Sequence, residues 1–224
     1  MDIFSIRDKI VNFGITTDKE NSYLHNYNEF FSRFREDEIH FLEIGIFNGG
    51  SLLLWAEYFK KGLVYGIDAE HELPEKYHQY LTENNIDRIH PFLDFITPDL
   101  AVPFDKRKKK FDDLLGNLKF DVILDDGAHT YTHTKGSYEV LFDSFLKPGG
   151  LYIIEDWGTT YFTDWPDGSV EGDKGMGKMI KELSDEVAIV DRYKGRKMSI
   201  EGLKSKIDSV TIRFGQIWVA KSKV

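Results

Sequence analysis

Two pairs of adjacent acids, Asp125-Asp126 and Glu155-Asp156, each end an apolar run, and His129 lies three residues beyond Asp126. If the two runs lie side by side, several carboxylates meet at one end of them, and like charges held close together are costly. A hard divalent cation relieves that repulsion, and oxygen donors suit Mg2+ or Mn2+ rather than zinc. The plainer use of such acids is to N-cap the next helix. An imidazole beside a polarised hydroxyl suits a general base, because it titrates close to neutral pH. Its plainer use is to cap the helix that begins there. His133 sits one turn further on, on the same helix face, as a supporting hydrogen-bond partner.

A second constellation comes earlier. Glu43-Ile44-Gly45-Ile46-Phe47-Asn48-Gly49-Gly50-Ser51 reads as an acid followed by a Gly-x-x-x-Gly turn. A dinucleotide fingerprint needs glycine where Phe47 stands, so that backbone can approach a pyrophosphate. No Gly-Lys-Ser/Thr follows, which removes a phosphate-cradling loop. The turn suits a ligand with an amino-acid end and a ribose but no phosphates, although alone it can be purely structural. Asp68, closing the next apolar run, is placed to accept hydrogen bonds from two ribose hydroxyls.

The elements that must position these residues alternate regularly. Residues 1–38 read as helical, with Phe30, Phe31 and Phe34 at helical spacing and a break at Phe13-Gly14-Ile15. Apolar runs at 40–45, 63–68, 89–93, 120–124 and 151–154 read as strands. Between them lie an amphipathic helix over 51–60 and helices over 75–83 and 131–145, the last stopped by Lys147-Pro148-Gly149-Gly150. A helix over 175–185 follows, then β-like stretches at 187–193 and 209–219, with room for a shorter strand between them. Strands alternating with helices mean a parallel sheet covered on both faces, with its ligand site beyond the carboxyl ends of the strands. The expected fold is therefore α/β and Rossmann-like, a seven-stranded, mostly parallel sheet with helices on both faces. Residues 1–38 form an N-terminal helical segment and 39–224 the core of one domain. The polar ends of strands one, two, four and five fall where this architecture puts an active site.

Bulk properties narrow the partners. A formal net charge of −9 argues against nucleic acid, whose binding rests on many cationic contacts to phosphate. With 41% hydrophobic and 30% charged residues, the 224-residue chain has the mix of an ordinary globular protein. No apolar run reaches the roughly 18 residues of a membrane span. The start lacks the basic and apolar stretches of a secretory signal, and cysteine is absent, so a cytoplasmic setting is expected. Lys106-Arg107-Lys108-Lys109-Lys110 is one basic run, read first as a solvated face and second as a contact for an anionic lipid or glycan.

Several motifs act together: Thr17-Asp18-Lys19 with His25 and Tyr27, Phe41-Leu42-Glu43-Ile44-Gly45 with Gly49-Gly50-Ser51-Leu52, and Asp125-Asp126-Gly127-Ala128-His129. With Lys147-Pro148-Gly149-Gly150-Leu151-Tyr152-Ile153-Ile154-Glu155-Asp156 and Thr159 through Tyr161, the chain from about residue 16 onward resembles the macrolide- and glycan-type sugar O-methyltransferases. These form a metal-dependent branch of the class I S-adenosylmethionine-dependent methyltransferases. The resemblance implies Mg2+ (or Mn2+) held by Asp126, Glu155 and Asp156, with His129 as general base. The candidate cofactor contacts are Glu43, Gly45, Asn48, Gly49 and Ser51 of the turn, with Asp68 and Asp125 at strand ends. Asp94 resembles the residue that meets the adenine, and Lys19, His25 and Tyr27 belong to a segment that tends to cover the cofactor. Ala128 departs from the serine usual before the histidine, and the 103–118 stretch is longer than the pattern leads one to expect. The large N-terminal extension of some macrolide-modifying members has no counterpart, so neither acceptor nor assembly follows from the likeness.

The implied reaction is in-line transfer of a sulfonium methyl to a sugar hydroxyl, for which the protein supplies alignment and a deprotonated oxygen. Trp157, Tyr161, Phe162 and Trp165 are candidates for stacking on the sugar, with packing at the sheet edge the equal alternative. The expected partner is a sugar-containing acceptor, a glycan or glycoside, and a homo-oligomer is left open. The rivals are a phenolic or catechol acceptor, a nicotinamide oxidoreductase and a catalytically silent cofactor-binding subunit. The intact acid–histidine set argues against the last.

Overall fold

The computed structural model describes residues 1–188 and 206–223. Five strands run parallel: β1 (His40–Ile44), β2 (Leu63–Ile67), β3 (Ile89–Phe92), β4 (Phe120–Asp125) and β5 (Leu146–Glu155). A hairpin of β6 (Ile207–Arg213) and β7 (Gln216–Lys221) completes the sheet, with β7 antiparallel to β5. The order is β3-β2-β1-β4-β5-β7-β6, the expected seven strands. It reverses between β1 and β4, and such a switch point opens a crevice at the strands' carboxyl ends.

Side chains alternate across the sheet with a period of two. Phe41, Val64, Val122, Leu124 and Ile153 pack on one face under α1 (Ile3–Asn12), α2 (Asn21–Phe31), α3 (Gly50–Tyr58) and α4 (Glu75–Asn84). Leu42, Ile44, Ile123, Tyr152 and Ile217 pack on the other under α5 (Phe104–Leu115), α6 (Tyr131–Ser144) and α7 (Gly175–Val187). Helix α1 is started by Asp2, whose Oδ1 accepts from Ser5 N at 2.9 Å, a cap worth about 1 kcal/mol.

Three expectations are revised. The helix after β1 is not amphipathic: Leu52, Leu53, Leu54, Trp55 and Ala56 are all fully buried, because α1 and α2 cover the side that would otherwise meet water. The single β-like stretch at 209–219 is two strands, split by a turn at Phe214-Gly215, where Gly215 takes φ +66°. Val187, expected to open a strand, instead ends α7, and residues 189–193 lie outside the described ones. The basic run is largely spoken for within and around α5. Lys108 and Lys109 pair with Asp112 and Asp113, and Arg107 is buried against Glu139 and the carbonyl of Gly136. Among the described residues no helix is long and apolar enough to cross a membrane.

Candidate active site

The crevice between β1 and β4 opens into a cavity of about 360 Å³. Its floor is set by Gly45, which takes φ +80° and where a Cβ would lie 2.2 Å from the carbonyl oxygen of Asp126. Only glycine allows the two strand ends to approach this closely. Asp68 Oδ2 accepts from the amides of Ile46 and Phe47 at 2.6 and 2.8 Å, and Oδ1 accepts from Glu70 N at 3.0 Å, so one carboxylate ties the turn to the end of β2. Gly45, Asn48, Ser51 and Asp68 line the cavity, together with Asp126 and His133. His133 Nδ1 lies 3.0 Å from Thr130 Oγ1. Phe47 and Ile96 stand exposed at the rim, offering apolar surface to a flat ring.

Other candidates lie elsewhere. Gly49 caps α3 with φ +81° against the Tyr77 ring. Asp94 points outward to His71, and His25 packs on Phe4. Asp125 turns to the opposite face, where its Oδ2 accepts from Tyr152 at 2.9 Å; burial pushes its carboxyl up to about 7, against the pull of that bond and of the Gly127 amide. Glu43 is fully buried with Oε2 accepting from Trp55 Nε1 at 3.2 Å, and burial raises it to about 7 against the pull of Lys19.

Lys19 and Tyr27, expected against the cofactor, enter the acid cluster instead. Lys19 Nζ pairs with Asp126 Oδ2 and Glu155 Oε2, and Glu43 Oε1 is 3.2 Å away. Burial pulls the pKa of this amine down, but the surrounding carboxylates, Asp126 foremost, hold it well above the ordinary lysine value. Tyr27 donates to Glu155 Oε1, which also accepts from Gln216 Nε2 at 3.1 Å. Both oxygens of Glu155 are thus engaged, while Asp126 Oδ1 and Asp156 Oδ2 each lie 3.8 Å from His129 Nε2. Asp156 Oδ1 accepts from Tyr23. One donor atom from each of Asp126, His129 and Asp156 lies within 4.8 Å of the other two.

His129 and Asp156 both adopt the left-handed region, φ +48° and +55°, which costs a non-glycine residue of order 1–3 kcal/mol and persists only where neighbours enforce it. Here the enforcers are visible. The His129 carbonyl accepts from Thr159 Oγ1 at 3.1 Å and Trp165 Nε1 at 3.0 Å, and Thr159 Oγ1 also reaches the Asp156 carbonyl at 3.0 Å. His129 faces a second cavity of about 660 Å³, walled by Trp157, Tyr161, Phe162 and Trp165. Asp18, quoted within the Thr17-Asp18-Lys19 motif, lines it as well, together with Tyr23 and Phe214, which neither motif nor spacing singles out. Tyr23 carries a faint signal, one turn before Tyr27 on the same face of α2. At Gly215, also in this wall, a Cβ would lie 1.9 Å from the Tyr23 hydroxyl. The two cavities share Asp18 and Asp126.

A sheet of this order, with a glycine turn after β1 and an acid after β2, defines the Rossmann-like class I methyltransferase fold. The chain belongs to the methyltransferase-domain family, whose model matches residues 42–157, from within β1 to just past β5. It is 32% identical over 175 residues to demethylmacrocin O-methyltransferase of Streptomyces fradiae, a match covering 71% of this chain and 38% of that protein. It is also 32% identical over 153 residues to the 8-demethyl-8-alpha-L-rhamnosyl tetracenomycin-C 2'-O-methyltransferase of Streptomyces olivaceus, covering 65% and 35%. The chain thus spans little more than a third of the length of these curated relatives. Its fold is shared with the MycE methyltransferase of the mycinamycin biosynthetic pathway, solved with Mg and SAH. There the TM-score is 0.72 at 22% identity, over 99% of this chain and 55% of that one.

Proposed function

We propose that the chain is an S-adenosylmethionine-dependent O-methyltransferase acting on a hydroxyl of a sugar-bearing acceptor, with His129 as general base. The observation that carries this reading is the meeting of two cavities at Asp126, with His129 Nε2 on the acceptor side. The relatives named for sugar methylation support the choice of acceptor.

Gly45, Asn48, Ser51 and Asp68 would hold the cofactor, and the donor chemistry fits a divalent cation: the Asp126, His129 and Asp156 atoms converge, and Glu155 meets Asp126 through the Lys19 ammonium they share. When bound, the cofactor supplies an already activated methyl, and a cation held by Asp126, Glu155 and Asp156 supplies positive charge that favours loss of the hydroxyl proton. His129 accepts that proton at Nε2. The aromatic walls hold the sugar ring by its apolar face and exclude water, while Trp165 and Thr159 keep the imidazole aimed. Alignment then accounts for much of the rate.

Incubation with methyl-labelled cofactor, Mg2+ and a panel of glycosides and catechols, read by mass spectrometry, tests the reading. Labelled glycoside is expected, with turnover lost in EDTA and regained with Mg2+ or Mn2+. Transfer to catechols alone, or full speed in EDTA, overturns it.

A further inference from the structure

Four carboxylates, those of Glu43, Asp126, Glu155 and Asp156, gather at the ends of β1, β4 and β5, and one cation of the chain's own already sits among them. Lys19 enters from the segment between α1 and α2 and is only 2% exposed. Its ammonium donates to Glu155 Oε2 and Asp126 Oδ2, and Glu43 Oε1 completes the ion cluster at 3.2 Å without a hydrogen bond of its own. The neighbouring residues on its segment form the partition of the site. Thr17 and Asp18 face the first cavity, Asp18 and Glu20 the second, and Lys19 pins the strip between them.

The same contacts divide the carboxylate oxygens. Glu155 is spent on Lys19, Tyr27 and Gln216, whereas Asp126 Oδ1 and Asp156 Oδ2 face His129. We propose that Lys19 is a positioning residue that competes with the divalent cation for Glu155 and Asp126, so that it holds the acids together without metal and keeps the bound ion weakly held and exchangeable. This inference rests on the cation reading above. Buried carboxylates left without a partner charge are strongly destabilising. Without Lys19 the acids must take up protons or a metal ion, and the chain's folding becomes coupled to that ion.

The test is a Mn2+ titration followed by electron paramagnetic resonance, with thermal melts with and without Mn2+, on wild type, Lys19→Met and Lys19→Met/Glu43→Gln. The double variant removes one charge of each sign, so bulk electrostatics alone leaves its Mn2+ affinity unchanged and it guards against a single variant that does not fold. Both variants are expected to bind Mn2+ about tenfold or more tightly than wild type, as the freed oxygens of Glu155 and Asp126 become ligands. Their metal-free melting points fall, and Mn2+ restores them by a larger margin than it raises wild type. Unchanged or weaker Mn2+ binding in the double variant, or a lowered melting point that Mn2+ does not restore, overturns the assignment. A wild type without a Mn2+ site beside variants that gain one supports the role of Lys19 while removing the metal from the proposed reaction. No site in any of the three proteins overturns both.

Discussion

The two cavities that meet at Asp126 are made of different materials. The cavity proposed for the cofactor is shaped at its floor by backbone: Gly45 at φ +80°, the amides of Ile46 and Phe47 on Asp68, and strand ends in register. The cavity proposed for the acceptor is walled by rings, Trp157, Tyr161, Phe162 and Trp165 from the stretch after β5 and Phe214 from the terminal hairpin. A wall of backbone cannot change without moving the sheet, whereas a wall of rings can be exchanged ring by ring. Under the proposed function, holding the methyl donor is bound to the fold, and choosing the acceptor is not.

Substitutions on each side should separate these roles. The largest effect is expected for His129→Ala, which removes the base: kcat should fall by about 10²–10⁴-fold while affinity for S-adenosylhomocysteine, read by calorimetry, stays at the wild-type value. Equal losses in both would dissolve the distinction between the cavities. Asp68→Ala releases the Ile46 and Phe47 amides. Loss of bonds to a charged acceptor, at roughly 1.5–3 kcal/mol, should weaken S-adenosylhomocysteine about 10- to 100-fold and leave Mn2+ binding as it was. The smallest effect is expected for Trp165→Phe, which keeps a ring but deletes the donor to the His129 carbonyl. A bond worth roughly 1 kcal/mol predicts a loss of about fivefold in kcat/KM for the acceptor, with cofactor affinity unmoved.

What is legible in the residue order is whatever depends on near neighbours. The strand runs, the glycine turn, Asp68 and the acid pairs all announce themselves through short spacing, because a parallel sheet brings successive strand ends to one edge. The rest depends on partners far away in the chain. Nothing near Lys19 tells that its ammonium meets Glu155 and Asp126 rather than a ligand. The exposed half expected of the helix after β1 disappears because α1 and α2 pack over it. Phe214-Gly215 reads as strand interior until the hairpin folds back and brings its turn to the acceptor wall. Asp94, placed by likeness alone, is absent from the cavity's lining, and its carboxylate meets His71.

The hydroxyl of Tyr23 occupies the place that any side chain at Gly215 would need, and that same hydroxyl steadies Asp156. A bend on the outermost strand pair therefore leans, through one phenol, on an acid beside the imidazole. Bulk added at the sheet's edge arrives beside His129 as a displaced charge, although the two lie far apart along the chain.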